Sequence, residues 1–256
     1  MLMRRYDKTR QLPQFQPTMN TDYTSVMTFT FANPPAAVIF DCDGVLVDSE
    51  PITSRVWAGL LTEIGLPTTT EESLVTYLGN SMARCMEIVT ERMGHAPPDW
   101  LLPRFHEASR AALAAEVEAV DGVPELLDAL DREKVPYAIA SNGEQAKMDA
   151  TLGAAGLAQR FAGKRFSGLE VCRPKPAPDV FLHAASALGV SPAMTVVIED
   201  SPLGVIGAVN AGMPVIGYAG IIDEHRLSTA GADKVIHHMS EALALLGLQG
   251  SVRRTP

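Results

Sequence analysis

Short runs of apolar, mostly β-branched residues alternate with helical patterns over the second half of the chain, and no other feature restricts the fold as much. Strands are expected at Ala37–Phe40, Pro136–Ala140, Thr195–Ile198, Pro214–Tyr218 and Lys234–His237. The stretch EDSPLGVIGAVNAGMP carries helix punctuation: Ser201 as N-cap, Pro202 at the first helical position, Gly212 after the last turn and Pro214 just beyond. In KPAPDVFLHAASALGV, Val180, Phe181, Ala184, Ala185 and Leu188 share one face, and Gly189 stops the helix. Strands separated by helices form a parallel sheet covered on both faces. The expected fold class is α/β, with a doubly wound parallel sheet.

One segment breaks the alternation. From Pro51 to about Val120 only helical patterns occur. Ile52, Val56, Leu60 and Ile64 recur every four residues, Gly65 ends that helix, and Thr69 with Glu72 fits a capping box for the next. Two more patterns follow, at Ser81–Met93 and near Asp99–Val117, and Asp121-Gly122-Val123-Pro124 reads as the return crossing. The expected organisation is a helical insert over 51–119, placed directly after the first strand, between core segments 35–50 and 120–247. Residues 1–34 are polar, aperiodic and rich in Thr, Gln and Pro, and are expected to be disordered or loosely attached. A flexible tail is expected over 248–256.

With 256 residues, 46% hydrophobic and 20% charged, the chain is long enough for a large core plus a smaller domain. The net charge of −9 and the lack of a basic stripe argue against nucleic acid or an anionic membrane as partners. No apolar run approaches the roughly 18 residues of a membrane span. Cys42, Cys85 and Cys172 are widely spaced and unpaired in pattern, so they are expected to be free thiols in a reducing, cytoplasmic compartment. Monomeric and dimeric states both stay open.

The first expected strand runs straight into carboxylates, in VIFDCDGVLVDSEP. In an extended chain Asp41 and Asp43 point the same way. Two carboxylates about 4 Å apart repel by roughly 4 kcal/mol at an effective dielectric near 20, so something positive must sit between them or one must hold a proton. Ligands of open α/β sheets bind at the carboxyl ends of the strands. Standing there are Asp41-Cys42-Asp43-Gly44, Ser141-Asn142-Gly143 and Glu199-Asp200-Ser201, with Lys175 fixed between two prolines in CRPKPAPD. This inventory suits phosphoryl transfer. Hard oxygen donors fit an octahedral Mg²⁺ site. Ser141 and Asn142, with backbone N–H groups at a helix start, can hold phosphate oxygens, Ser141 capping that helix in the same geometry. Lys175 adds a point charge, and a carboxylate can itself attack phosphorus.

DCDGVLVDSE, SNG, the lysine of RPKPAPD and EDSPLGVIGAVNAG, in this order, resemble the four motifs of the haloacid dehalogenase superfamily of phosphotransferases, over about residues 36–240. The resemblance implies Asp41 as nucleophile and Asp43 as general acid and base. It implies Mg²⁺ held by Asp41, the backbone carbonyl of Asp43, and Asp200, with Glu199 either a direct ligand or a partner just behind. Ser141, Asn142 and Lys175 would hold the transferring phosphoryl group. The helical insert resembles the family's mobile cap, which excludes water and reads the leaving group. Arg55 and Arg84, in that cap, are candidates for a second anionic group of a small phosphorylated metabolite.

Dehalogenation is disfavoured because dehalogenases of this superfamily lack the second aspartate of the first motif, and Asp43 is present. Phosphonate cleavage would use a cap lysine, and residues 51–120 contain none. The same absence, with Thr53 where a related phosphomutase carries a histidine, favours hydrolysis over β-phosphoglucomutase-like chemistry. Sugar-phosphate and sugar-acid-phosphate phosphatases are the nearest resemblance. A receiver-type phosphorylation switch is about half this length, has no such insert, and bears its aspartate after the third strand. The six histidines show no ligand spacing. Cys42, alternating to the far side of the strand, reads as packing, and Met82, Met86 and Met93 as cap core.

Overall fold

The computed structural model describes residues 34–248. Apart from Pro34 and Leu248, the expected terminal extensions lie outside the described residues. Six strands form one sheet: β1 (Ala37–Phe40), β2 (Tyr137–Ser141), β3 (Arg165–Ser167), β4 (Thr195–Glu199), β5 (Val215–Tyr218) and β6 (Lys234–Ile236). Every neighbouring pair is parallel, in the order β3-β2-β1-β4-β5-β6. Five of the six match the expected runs. The sixth, β3, is an edge strand of sequence Arg-Phe-Ser, whose single apolar residue makes no apolar run.

Four helices follow β1: α1 (Glu50–Glu63), α2 (Thr70–Tyr77), α3 (Met82–Met93) and α4 (Leu101–Glu116). The Thr69–Glu72 capping box forms as expected, and Ser81 caps α3 by accepting the Arg84 N–H. In α1 the buried face is not the four-residue stripe. Ser54, Trp57, Ala58, Leu60 and Leu61 are buried, whereas Ile52, Val56 and Ile64 are only half-buried. A spacing of four advances about 40° per step around a helix of 3.6 residues per turn, so that stripe drifts off the core. Trp57 anchors the insert's own core, edge-on to Tyr77 and Phe105 at centroid distances of 5.9 and 4.9 Å. The two chain crossings into the insert are tied together: Asp48 N–H donates to Glu118 O and Val120 N–H to Leu46 O, both at 3.0 Å.

The remaining helices are α5 (Val123–Arg132), α6 (Gln145–Ala154), α7 (Asp179–Leu188), α8 (Pro202–Asn210), α9 (Glu224–Ala230) and α10 (Met239–Leu245). Alternation along the strands divides them. Val38, Phe40, Ile139, Val196 and Ile198 face α5, α6 and α10, while Ile39, Ala138, Ala140 and Val197 face α7, α8 and α9. The chain winds outward from β1 through β2 to β3, returns to β4, and winds outward again. The switch therefore falls between β1 and β4, the place where an open α/β sheet presents a crevice at its carboxyl edge.

Candidate active site

Asp41 is the first residue past β1, and its backbone N–H donates to Ile198 O at 3.0 Å, which keeps it level with the end of β4. Ser141, Glu199 and Asp200 reach the same edge from β2 and β4. The loop before α7 delivers Lys175 from the outside, across a cis Lys175–Pro176 bond.

Lys175 is the centre of this arrangement. Its Nζ donates to Asp41 Oδ1 and, at 2.7 Å, to Glu199 Oε1, and its side chain is only 3% exposed. The ammonium also lies over the Phe181 ring, 4.8 Å from its centroid. Burial opposes its charge, but Asp41 and Glu199 hold it protonated above the usual lysine range. The single cation does not balance the carboxylates around it. Burial pushes Asp41 up to about 7 against the pull of Lys175, with Glu199 adding to the rise. Asp200 is pushed well above the carboxylate range by burial, then by Glu199 and Asp41.

Glu199 is fully buried with both oxygens engaged. Besides Lys175, it accepts from Ser201 N–H at 2.8 Å and Ser201 Oγ–H at 2.9 Å, and Ser201 Oγ in turn accepts the Gly204 N–H. This seats its charge at the N-terminus of α8, where a carboxylate is favoured. Of the two roles left open for Glu199, the geometry matches the partner behind the site rather than a free ligand.

Three glycines make room for these side chains. A Cβ on Gly204 would fall 1.6 Å from Glu199 Oε1, one on Gly44 2.1 Å from Asp200 Oδ2, and one on Gly168 2.3 Å from Asn142 Oδ1. Gly44 also sits at φ +76°, which turns the chain sharply after Asp43.

The side chain of Asn142 turns to the lysine loop. Its Nδ2–H donates to Lys175 O at 3.2 Å and its Oδ1 accepts the Lys175 N–H at 2.9 Å, so the amide clamps the lysine loop. Ser141 is the last residue of β2 rather than a helix cap. Its Oγ accepts the Gly143 N–H at 3.1 Å, and α6 begins later, after Glu144.

Two residues given no role from sequence complete the site. Lys147, on α6, donates to Asp43 Oδ2 at 2.8 Å; burial opposes its charge, but Asp43 and Glu50 raise it. Glu50, in the first turn of α1, is pushed up to about 7 by burial and then by Asp43. Neither stands at a strand end, and only the helical spacing after SNG and the DSE run hinted at them. Asp43 Oδ1 is buried without a partner.

A cavity of about 580 Å³ joins this cluster to the underside of the insert, where Thr53, Trp57, Ser73, Tyr77, Asn80 and Phe105 line it. Arg55 and Arg84 are not brought to it. Arg55 pairs with Glu116 at 2.7 Å, and Arg84 pairs with Glu87 and Glu91 at 2.9 and 3.1 Å, all on exposed surface. Cys42 packs in the core as expected, with burial pushing its thiol well up.

Among the described residues, no three His, Cys, Asp or Glu side chains form a closed metal cage. The donor set is nonetheless hard oxygen in an over-acidic pocket, with an orphaned Asp43 oxygen and a space kept open for the Asp200 carboxylate by Gly44. That fits a cation such as Mg²⁺, which uses one or two carboxylates and keeps its waters.

This fold and site define a hydrolase class that the comparisons identify. The model of the haloacid dehalogenase-like hydrolase family matches residues 38–218. The chain is 34% identical over 180 residues to 6-phosphogluconate phosphatase of Escherichia coli, covering 70% of this chain and 80% of that protein. It is 32% identical over 204 residues to hexitol phosphatase A of the same organism, covering 79% and 91%. A crystal structure of a family hydrolase from Deinococcus radiodurans, with bound phosphate and sodium, superposes with a TM-score of 0.73 at 34% identity, covering 84% of this chain and 97% of that one. The chain belongs to the haloacid dehalogenase-like hydrolase family.

Proposed function

We propose that this hydrolase is a Mg²⁺-dependent phosphatase that releases phosphate from a small phosphorylated metabolite, a sugar phosphate, through an aspartyl-phosphate on Asp41. One observation carries the reading: a buried lysine is bonded to the carboxylate at the end of β1, and two residues on stands a second carboxylate with one oxygen unspent. The names of the two phosphatase relatives support a sugar-derived ester, one a sugar-acid phosphate and the other a hexitol phosphate, and the phosphate and sodium bound by the Deinococcus hydrolase support an anion and a cation as ligands.

In this mechanism Asp41 attacks phosphorus. A P–O bond forms to its carboxylate as the ester P–O bond breaks, and Asp43 protonates the leaving oxygen. Asp43 then takes a proton from water, which attacks phosphorus, breaks the bond to Asp41 and releases phosphate. Lys175, Ser141 and the N–H groups of the turn that follows hold the phosphoryl oxygens, while Asn142 fixes the lysine loop. Lys147 on Oδ2 of Asp43 orients that carboxyl so that Oδ1 meets the leaving group. Mg²⁺, held by Asp41, Asp200 and the Asp43 carbonyl, would supply charge that keeps Asp41 ionised beside its acidic neighbours.

A phosphomutase reading finds less support. Thr53 donates its hydroxyl back to Ser49 O and Glu50 O, and the cap residues lining the cavity include no lysine or histidine. The test is phosphate release across sugar, sugar-acid and nucleoside phosphates with Mg²⁺ and with EDTA. Metal-dependent release that Asp41→Asn abolishes is expected. Full-rate release without metal, or by that variant, refutes the reading.

A further inference from the structure

Resting on the phosphatase reading, we infer that the cap selects an uncharged, hydroxyl-bearing leaving group and rejects one with a second anionic group. The cavity is lined by five carboxylates, Asp41, Asp43, Glu50, Glu199 and Asp200, and by two cations, Lys147 and Lys175. Both cations belong to the core and both are committed, Lys175 to Asp41 and Glu199, and Lys147 to Asp43.

From residue 53 to 105 the cap contributes no charged side chain to the lining. None of its five arginines lines the cavity: Arg55, Arg84 and Arg104 pair with glutamates, Arg92 donates to the Tyr77 hydroxyl from behind the wall, and Arg110 lies outside the lining. What the cap wall offers is neutral and in part unspent. Asn80 uses its Nδ2–H on Thr76 O, which leaves its Oδ1. Ser81 uses its oxygen as an acceptor for Arg84 N–H, which leaves its O–H. Thr53 donates its proton, which leaves lone pairs. The faces of Trp57, Tyr77 and Phe105 form the apolar part of the wall.

A second carboxylate or phosphate closed into this space would lose its hydration beside an acidic wall and meet no uncommitted cation among the lining residues; Arg226 reaches only the outer side of the loop at Leu78 and Gly79. A chain of hydroxyls would find donors and acceptors matched to it.

The test compares a hexitol phosphate with the hexonate phosphate of the same carbon count. The expected kcat/KM ratio is about tenfold or more in favour of the hexitol ester. Asn80→Arg, which places a cation on the cavity rim, is expected to lower that ratio about tenfold, and Met82→Lys to lower it in the same direction. Calorimetric binding of both esters to Asp41→Asn reads the preference without turnover. Equal or tighter binding of the hexonate ester, or a ratio unmoved by both cationic variants, overturns the inference and leaves the phosphatase reading intact. Failure to hydrolyse any ester, p-nitrophenyl phosphate included, refutes the phosphatase reading, while the binding order still judges the cap.

Discussion

Replacing Lys175 by Met separates the electrostatic from the packing role of the site's central side chain. The methionine keeps most of the buried volume and the contact with Phe181. Among the described residues, it removes the only cation bonded to Asp41 and Glu199. Breaking a buried pair by removing one partner costs about 3–5 kcal/mol, because the remaining charge is left uncompensated. That cost depends on pH in a direction the structure dictates. Burial has already raised Asp41 from 3.8 to about 7, and loss of the lysine raises it further. A carboxyl whose folded value lies above its unfolded one binds a proton in the folded state first. It stabilises the fold at low pH, and that contribution is lost as pH rises between the two values. Protonated Asp41 needs no counter-ion, so the variant is expected to lose about 1–2 kcal/mol near pH 5 and the full 3–5 kcal/mol near pH 8. Urea unfolding in EDTA at both pH values measures this. Equal losses at the two would refute the charge argument and make Lys175 a packing residue.

Gly204→Ala is expected to cost about 3 kcal/mol or more in the same assay, because its Cβ would displace a Glu199 carboxylate held by three hydrogen bonds. Gly59→Ala, in the middle of α1 with open space around it, is expected instead to stabilise by about 0.5–1 kcal/mol. Asn142→Ala frees the lysine loop and should weaken inhibition by phosphate about tenfold, a 1.4 kcal/mol effect, with little change in melting temperature; unchanged inhibition would leave the clamp without a role. Arg226, on α9, donates to Leu78 O at 3.2 Å where the cap loop meets the core, and a side chain on Gly79 would meet Ile222 at 2.8 Å. Arg226→Ala should speed hydrogen exchange in the loop after α2 and raise KM more than it lowers kcat.

Five of six strands and the punctuation at Ser201, Gly189 and Thr69 were legible because each depends on a local rule: apolar runs, a capping side chain, or a residue in the left-handed region. The site was legible where its residues stand at strand ends, as with Asp41, Ser141, Glu199 and Asp200. Tertiary effects were not. β3, Arg165-Phe166-Ser167, holds one apolar residue and is fixed only by its pairing with β2. Lys147 and Glu50 reach the site from helices, and no spacing fixes which way a lysine bends. Asn142 carries the side chain its motif requires, yet uses it on Lys175, a contact 33 positions along the chain. Arg55 and Arg84 illustrate the converse: each is a cation in the cap, but glutamates one or two turns away, or on α4, claim it first. The Arg55 partner is set by helix packing, 61 positions away, whereas those of Arg84 lie along its own helix and were there to be read in the sequence.

The central claim is that Asp41 carries the phosphoryl group during turnover. The most direct measurement is an acid quench within the first turnover on a hexitol phosphate with Mg²⁺, followed by peptide mass spectrometry. The account predicts a phosphoryl adduct on the peptide containing Asp41, located to that residue and absent from Asp41→Asn. Phosphate released with no adduct at any time, or an adduct on Asp43 or Asp200 instead, would contradict it.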